Sequence, residues 1–270
     1  RWIIRAILPS LPEFSRYIEP FCGAANFFFA LAPRRALLSD LNKYLINLYL
    51  ELARDPDGII RTMLHLPVTE DAYYELRRLL YKTRSKRLQA AYFLYLNRYC
   101  WNGLYRENRN GRFNVPFGRP RTRGARPGLN VADVLEAAAM LRKVRIEDGD
   151  FQRFTSRARP GDLVYLDPPY KIGRKGRFFA EYTQTSFSVD DEIRLAREAI
   201  RLAGKGVNVL VSHASTPEAR ELYSEHFHHN MFRRQQTISG NPNGRGATEE
   251  VVFSTFAIRN GAKLNDEFSS

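Results

Sequence analysis

Residues 167–170 read Asp167-Pro168-Pro169-Tyr170, directly after the apolar run Leu163-Val164-Tyr165-Leu166. These types at this spacing could serve to present an exocyclic aromatic amine to an electrophile. The lone pair of such an amine is delocalised into its ring, so the nitrogen is a poor nucleophile. A carboxylate and a backbone carbonyl that accept its N–H bonds favour a more tetrahedral nitrogen with its lone pair freed. Two prolines stiffen the turn and fix the direction of the carbonyl. An aromatic ring at the fourth position can stack on the base. Transfer of an already activated methyl group then needs only positioning and electrostatics, with no metal and no covalent nucleophile. Asp167, Pro168, Pro169 and Tyr170 are therefore the catalytic candidates. Taken alone, the four residues also read as a strand-ending turn, since proline pairs punctuate strands.

The flanking elements repeat a strand-then-turn pattern. Tyr17 to Glu19 reads as a short strand entering Pro20-Phe21-Cys22-Gly23-Ala24-Ala25, with a helix over Asn26 to Leu31. Ala36 to Ser39 reads as a second strand ending at Asp40. Asp40 is the expected cap of a helix through Ala53, because Leu41, Tyr44, Leu45 and Leu48 recur at helical spacing. Asp55-Pro56-Asp57-Gly58 is expected to stop it. Residues 58–96 read as helices with a basic face, 97–130 as loops, and Val131 to Lys143 as a helix. Strands are expected at Val144 to Ile146, Asp162 to Leu166, Val207 to Ser212 and Val251 to Ile258. Ser188-Val189-Asp190-Asp191 resembles a capping box opening a helix to Ala203. Such alternation predicts a three-layer α/β sheet. Ligands on such sheets bind at the carboxyl ends of the strands, where residues 20–25, Asp40 and 167–170 fall.

The chain has 270 residues and a formal net charge of +13. The excess is concentrated. From Arg77 to Arg126 there are 14 Lys or Arg against the single acid Glu107, so this segment alone carries +13. The block is interleaved with aromatics from Tyr92 to Phe117, which marks a folded polyanion-binding surface rather than a solvated tail. No run of apolar residues is long enough for a membrane helix, so no membrane partner is expected. The start Arg1-Trp2-Ile3-Ile4-Arg5 is too short and charged for a secretory signal. Cys22 and Cys100 sit in no ligand-spaced cluster, and His226, His228 and His229 read as a surface cluster, so no metal site is expected.

Ile18-Glu19-Pro20-Phe21-Cys22-Gly23, Leu38-Ser39-Asp40-Leu41-Asn42 and the long stretches Phe93 to Arg106 and Gly111 to Arg119 resemble the Dam family of DNA adenine-N6 methyltransferases. The resemblance runs from about residue 11 to 256, with the motifs in the family's order. It implies a Rossmann-like methyltransferase sheet, with an inserted, mostly helical target-recognition domain. The catalytic domain would comprise 1–54 and 144–270, and the recognition domain 55–143. S-adenosylmethionine is the implied cofactor, bound by Trp2, Pro20, Phe21, Gly23, Asp40, Asp150, Phe151 and Asp167. Asp40 would take the ribose hydroxyls, Asp150 and Phe151 would flank the cofactor adenine, and 167–170 would hold a flipped target adenine. The implied DNA-reading set is Asn97, Arg98, Trp101, Asn102, Leu104, Arg106, Asn114, Pro116 and Arg119. Arginine suits bidentate contact with guanine, and Trp101 could wedge into the vacated stack.

Double-stranded DNA is the expected partner, with GATC as the target sequence, a cognate restriction endonuclease as a second partner, and a cytoplasmic, nucleoid-associated location. Departures from the pattern keep other readings open. The family's Gly-Gly-Lys after the opening Trp is absent, Ala25 replaces a frequent glycine, and Ser212-His213 replaces Ser-Asn. Pro120 stands where some GATC readers carry an aromatic. A DNA-binding protein with impaired cofactor binding is one alternative. The amine chemistry alone also allows cytosine N4 or RNA as the substrate.

Overall fold

The structure is a computed structural model that describes residues 2–108, 110–118, 129–169, 187–234 and 248–259; only the backbone is described for Arg233, Arg234 and Thr248. Tyr170, Arg119 and Pro120 lie outside the described residues.

The chain opens with α1 (Trp2–Ile7), β1 (Tyr17–Glu19), α2 (Asn26–Leu31) and β2 (Ala36–Asp40). Helix α3 (Lys43–Arg54) starts later than Asp40 would cap it. Asn42 is the cap, its side-chain oxygen accepting from the Tyr44 and Leu45 N–H groups at 3.0 and 3.1 Å. Asp40 lies two residues too far back for that role and accepts instead from the Asn42 N–H at 2.9 Å. Asp55-Pro56-Asp57-Gly58 ends α3 and at once opens α4 (Pro56–Leu64). Proline is well suited to a first helical position, where no N–H partner is needed, and the Asp55 carboxylate accepts from the Gly58 N–H at 2.9 Å.

The basic segment continues as α5 (Glu70–Leu79) and α6 (Lys86–Tyr99), capped by Thr69 and Ser85. Asn97 and Arg98, expected in a loop, therefore occupy the last turn of α6. Then follow α7 (Val131–Leu141), β3 (Arg145–Asp148), α8 (Phe151–Thr155) and β4 (Leu163–Leu166). The capping box before α9 (Val189–Ala203) forms with both reciprocal bonds between Ser188 and Asp191. The chain continues with β5 (Asn208–Ala214), α10 (Pro217–Tyr223), β6 (His228–Arg234) and β7 (Thr248–Ser254). Strand β7 begins and ends earlier than its apolar pattern predicts, because it pairs from Glu250 to Ser254 along β5. Strand β6, His-His-Asn-Met-Phe-Arg-Arg, has too little apolar alternation to be read as a strand and forms by pairing with β7.

Among the described residues, seven strands follow the order β3-β2-β1-β4-β5-β7-β6. Strand β1 is parallel to β2 and to β4, and β4 is parallel to β5, whereas β7 runs antiparallel to β5 and β6. This is a mixed, Rossmann-like α/β sheet. Contacts divide the chain into two units, Arg1–Leu38 with Asp150–Ser270, and Ser39–Gly149. The expected recognition segment 55–143 falls inside the second.

In the first unit, one sheet face packs Ile18, Leu37, Val164, Leu166, Val209 and Val211 against Phe151 and Phe154 of α8, Leu195, Ala199 and Leu202 of α9, and Tyr223 of α10. Residues one position along point the other way. Tyr17 and Tyr165 meet Phe27 of α2 at ring separations of 5.9 and 4.5 Å. A sheet covered on both faces explains why these strands read as continuous apolar runs. In the second unit, α3, α4, α6 and α7 pack together, and Tyr73, Ala90, Ala91, Tyr95 and Leu96 form its buried centre. Among the described residues no helix is long and apolar enough to cross a membrane.

Candidate functional site

The chain leaves β1 toward β2 on one side and later returns to place β4 on the other. Ligands on open α/β sheets bind where the strand order reverses in this way, because the loops there diverge and leave a crevice. Tyr17 pairs with Leu163 and Ile18 with Val164. Strand β1 ends at Glu19, just before Pro20 and Phe21, and β4 ends at Leu166, just before Asp167. The cofactor-loop candidates and the Asp-Pro-Pro turn thus leave the sheet side by side.

Pro20 is buried and Phe21 half-buried. Gly23 has φ +44°, which an L side chain adopts only at a cost, and open space where its Cβ would stand. Ala25 also sits in the left-handed region, at φ +49°, the position where the sequence pattern favours glycine. The Phe21 ring lies 5.3 Å from Phe151 and 5.7 Å from Phe187. Asp150 caps α8 by accepting from the Gln152 N–H at 3.0 Å, so the Asp-Phe pair is fixed at a helix start.

Asp167 keeps its side chain accessible, yet protein surrounds it on most sides. That crowding, with the Glu250 charge, raises its carboxyl to about 6, against the opposing pull of a Tyr165 hydrogen bond and of His213. The Tyr165 hydroxyl is in turn 2.9 Å from the Ser212 hydroxyl on β5. Pro168 is buried and Pro169 exposed. Behind them, His213 is 4% exposed and its Nε2 lies 3.1 Å from the Glu192 carboxylate of α9. Burial pulls the His213 pKa down, but Glu192, the Ala214 carbonyl and the Asp167 charge together outweigh it and the net shift is upward.

In the second unit, Asp40 ends β2 and its backbone carbonyl accepts from the Gly149 N–H at 3.1 Å. The expected DNA-reading residues lie mostly on one folded loop, 100–118. Its arms are joined by bridges between Cys100 and Phe117 and between Glu107 and Phe113. From below, the Tyr73 hydroxyl donates to the Val115 carbonyl at 2.9 Å, and the Phe113 N–H donates to the Tyr81 hydroxyl at 2.6 Å. Phe113 and Val115 are buried; Arg112 and Pro116 face outward.

At Gly118 a Cβ would come within 2.6 Å of the Cys100 carbonyl oxygen, so only glycine fits that close approach. Trp101 and Leu104 are exposed at 51% and 48%, unusual for such large apolar side chains. Arg98, Asn102 and Arg106 are exposed as well. The Arg106 Nε donates to the Asn114 side-chain oxygen at 2.9 Å, leaving the outer edge of the guanidinium for another acceptor. Asn97 differs from the others, because its amide donates to the Phe93 carbonyl at 2.8 Å within α6.

The Trp2 ring meets Phe232 of β6 edge-on at 5.7 Å, on the strand at the far end of the order from β1. Sequence reading missed Tyr165, Ser212, His213 and Glu192. Tyr165 was within reach, since it stands two residues before Asp167, the spacing at which side chains of an extended segment share a face. Ser212 and His213 fall at the end of an expected strand, but nothing local marks their partners Tyr165 and Glu192. His226, His228 and His229 are exposed.

The chain matches the model of the D12 class N6 adenine-specific DNA methyltransferases over residues 1–238. It is 32% identical to the Type II methyltransferase M1.LlaDCHI of Lactococcus lactis subsp. cremoris, over 93% of this chain and 92% of that one. It is 30% identical to a DNA adenine methylase of Vibrio cholerae, over 93% and 90% of the two chains, and 32% identical to one of Salmonella typhi, over 90% and 87%. The strand order and the family match agree: the chain belongs to the D12 class N6 adenine-specific DNA methyltransferases.

Proposed function

We propose that the methyl donor of this DNA adenine methyltransferase is S-adenosylmethionine, and that Pro20, Phe21, Gly23, Asp150 and Phe151 form its pocket in the first unit. The observation that carries this reading is the emergence of the β1 loop and the Asp167 turn side by side at the reversal of strand order. The donor set fits the molecule. The Phe21–Phe151 pair suits a flat base, the Asp150 carboxylate an exocyclic amine, and the glycine at φ +44° a close backbone approach. Trp2, engaged by Phe232, is left out of the pocket.

Bound S-adenosylmethionine would supply an electrophilic methyl group. The ionised Asp167 carboxylate and the backbone carbonyl of the turn accept the N6–H bonds of a flipped adenine, and Tyr165 steadies Asp167 from below. Residues 55–143, with the +13 segment, serve as the DNA target-recognition region. Arg106 reads a guanine, and Arg98 and Arg119 hold DNA beside Trp101, Asn102, Leu104, Asn114 and Pro116. GATC is the proposed target, the cytoplasm the proposed location, and a cognate restriction endonuclease the proposed partner. Incubating the protein with labelled S-adenosylmethionine and plasmid DNA, then mapping N6-methyladenine, tests donor and sequence together. Methylation confined to GATC is the expected result. Label in another sequence overturns the target, and no S-adenosylmethionine affinity overturns the donor.

A further inference from the structure

Arg194, in the second turn of α9, is bound to the Asp150-Phe151 corner by an unusual number of contacts. Its Nη1 donates to Asp150 Oδ1 at 2.9 Å and its Nη2 to Asp150 Oδ2 at 2.8 Å, a fork-on-fork pair. The same two nitrogens also reach Gln152 Oε1 at 3.0 Å and Asp191 Oδ1 at 2.8 Å. The guanidinium carbon lies 4.4 Å from the Phe151 ring centroid. The opposite arm of this clamp is rigid, since Asp191 belongs to the capping box with Ser188. The neighbouring Phe187 touches both Phe21 and Phe151.

A carboxylate offers about four lone-pair sites, two on each oxygen. Asp150 Oδ1 is filled by Arg194 and by the Gln152 N–H at 3.0 Å. On Oδ2, Arg194 takes one site and leaves the other.

We propose that Arg194 is a positioning residue of the donor pocket, turning Asp150 so that Oδ2 accepts the exocyclic amine of the donor's adenine and holding Phe151 as the wall beside it. The assignment rests on the S-adenosylmethionine reading of this pocket. It makes adenine selectivity, not only affinity, depend on a residue 44 positions from Asp150.

The test is calorimetric titration of wild type, Arg194→Gln and Arg194→Lys with S-adenosylmethionine, S-adenosylhomocysteine and S-inosylhomocysteine, in which a carbonyl replaces the amine. Wild type is expected to prefer the adenine compound over the inosine one by tenfold or more. Arg194→Gln should lose most of that preference. Arg194→Lys keeps the charge without the fork and should recover only part of it. A general loss of packing would weaken both homocysteine compounds alike and leave their ratio unchanged. An unchanged ratio in Arg194→Gln overturns the assignment, and so does full recovery in Arg194→Lys. A wild-type protein that binds none of the three overturns the donor reading, and the assignment with it. Wild-type binding of S-adenosylmethionine together with an unchanged ratio in Arg194→Gln overturns the assignment alone.

Discussion

The turn after β4 and the loop 100–118 do opposite things with their side chains. At the turn, the carboxylate of Asp167 is set by what surrounds it: burial, the Glu250 charge, the Tyr165 hydrogen bond and His213. On the loop, the backbone is what the interior holds, through Tyr73, Tyr81 and the close approach of Gly118 to Cys100. The working side chains point away from it. A group that must act on one atom needs its ionisation and direction fixed, and a packed interior fixes both. A surface that must read DNA needs exposed donors on a rigid track, because its partners arrive from outside.

The contrast can be broken by mutation. Asp167→Ala should lower methyl transfer by about 10³-fold or more while leaving DNA affinity nearly unchanged, measured by labelled-methyl incorporation and DNA titration. Strong loss of DNA affinity would mean the two regions are not separable. Arg106→Ala should cost about 1–3 kcal/mol of discrimination at one base pair, read from binding to single-substituted duplexes. A uniform loss over all duplexes would make Arg106 a phosphate contact instead. Gly118→Ala should cost about 1–3 kcal/mol in thermal unfolding, because backbone must shift to admit the methyl group, and it should weaken DNA binding on every sequence alike.

Acid sharpens the comparison from the other side. Ionised Asp167 is the stronger acceptor for the amine N–H groups, and its carboxyl is raised to about 6. The single-turnover rate should therefore fall as pH drops through about 6, and DNA affinity should not follow it. Glu250 is one cause of the rise, so Glu250→Gln should move the acid limb to lower pH. The smallest effect belongs to Arg98→Ala, which should reduce the slope of log affinity against log salt by about one and leave sequence preference intact.

Much of this was legible along the chain. The strand-then-turn pattern located β1, β2, β4 and β5, and the Ser188 capping box fixed the start of α9 to the residue. The charge block is the sequence signal behind the proposed DNA-facing segment, because lysine and arginine accumulate on such surfaces whatever the fold. Boundaries failed where two residues competed for one role, as at Asp40 and Asn42. They failed again where pairing, not pattern, made the strand, as in β6.

The sequence alone therefore determined the local chemistry: the Asp-Pro-Pro-Tyr turn, the glycine of the β1 loop, the caps and the basic block, each set by residues a few positions apart. Only the tertiary structure decided the company these residues keep. Ser212 lies 47 positions from Tyr165 and Arg194 lies 44 from Asp150, yet each pair meets through a hydrogen bond. Nothing local specifies such pairs. They exist because strand order and helix packing bring distant side chains into contact, where an unmet polar group would cost free energy.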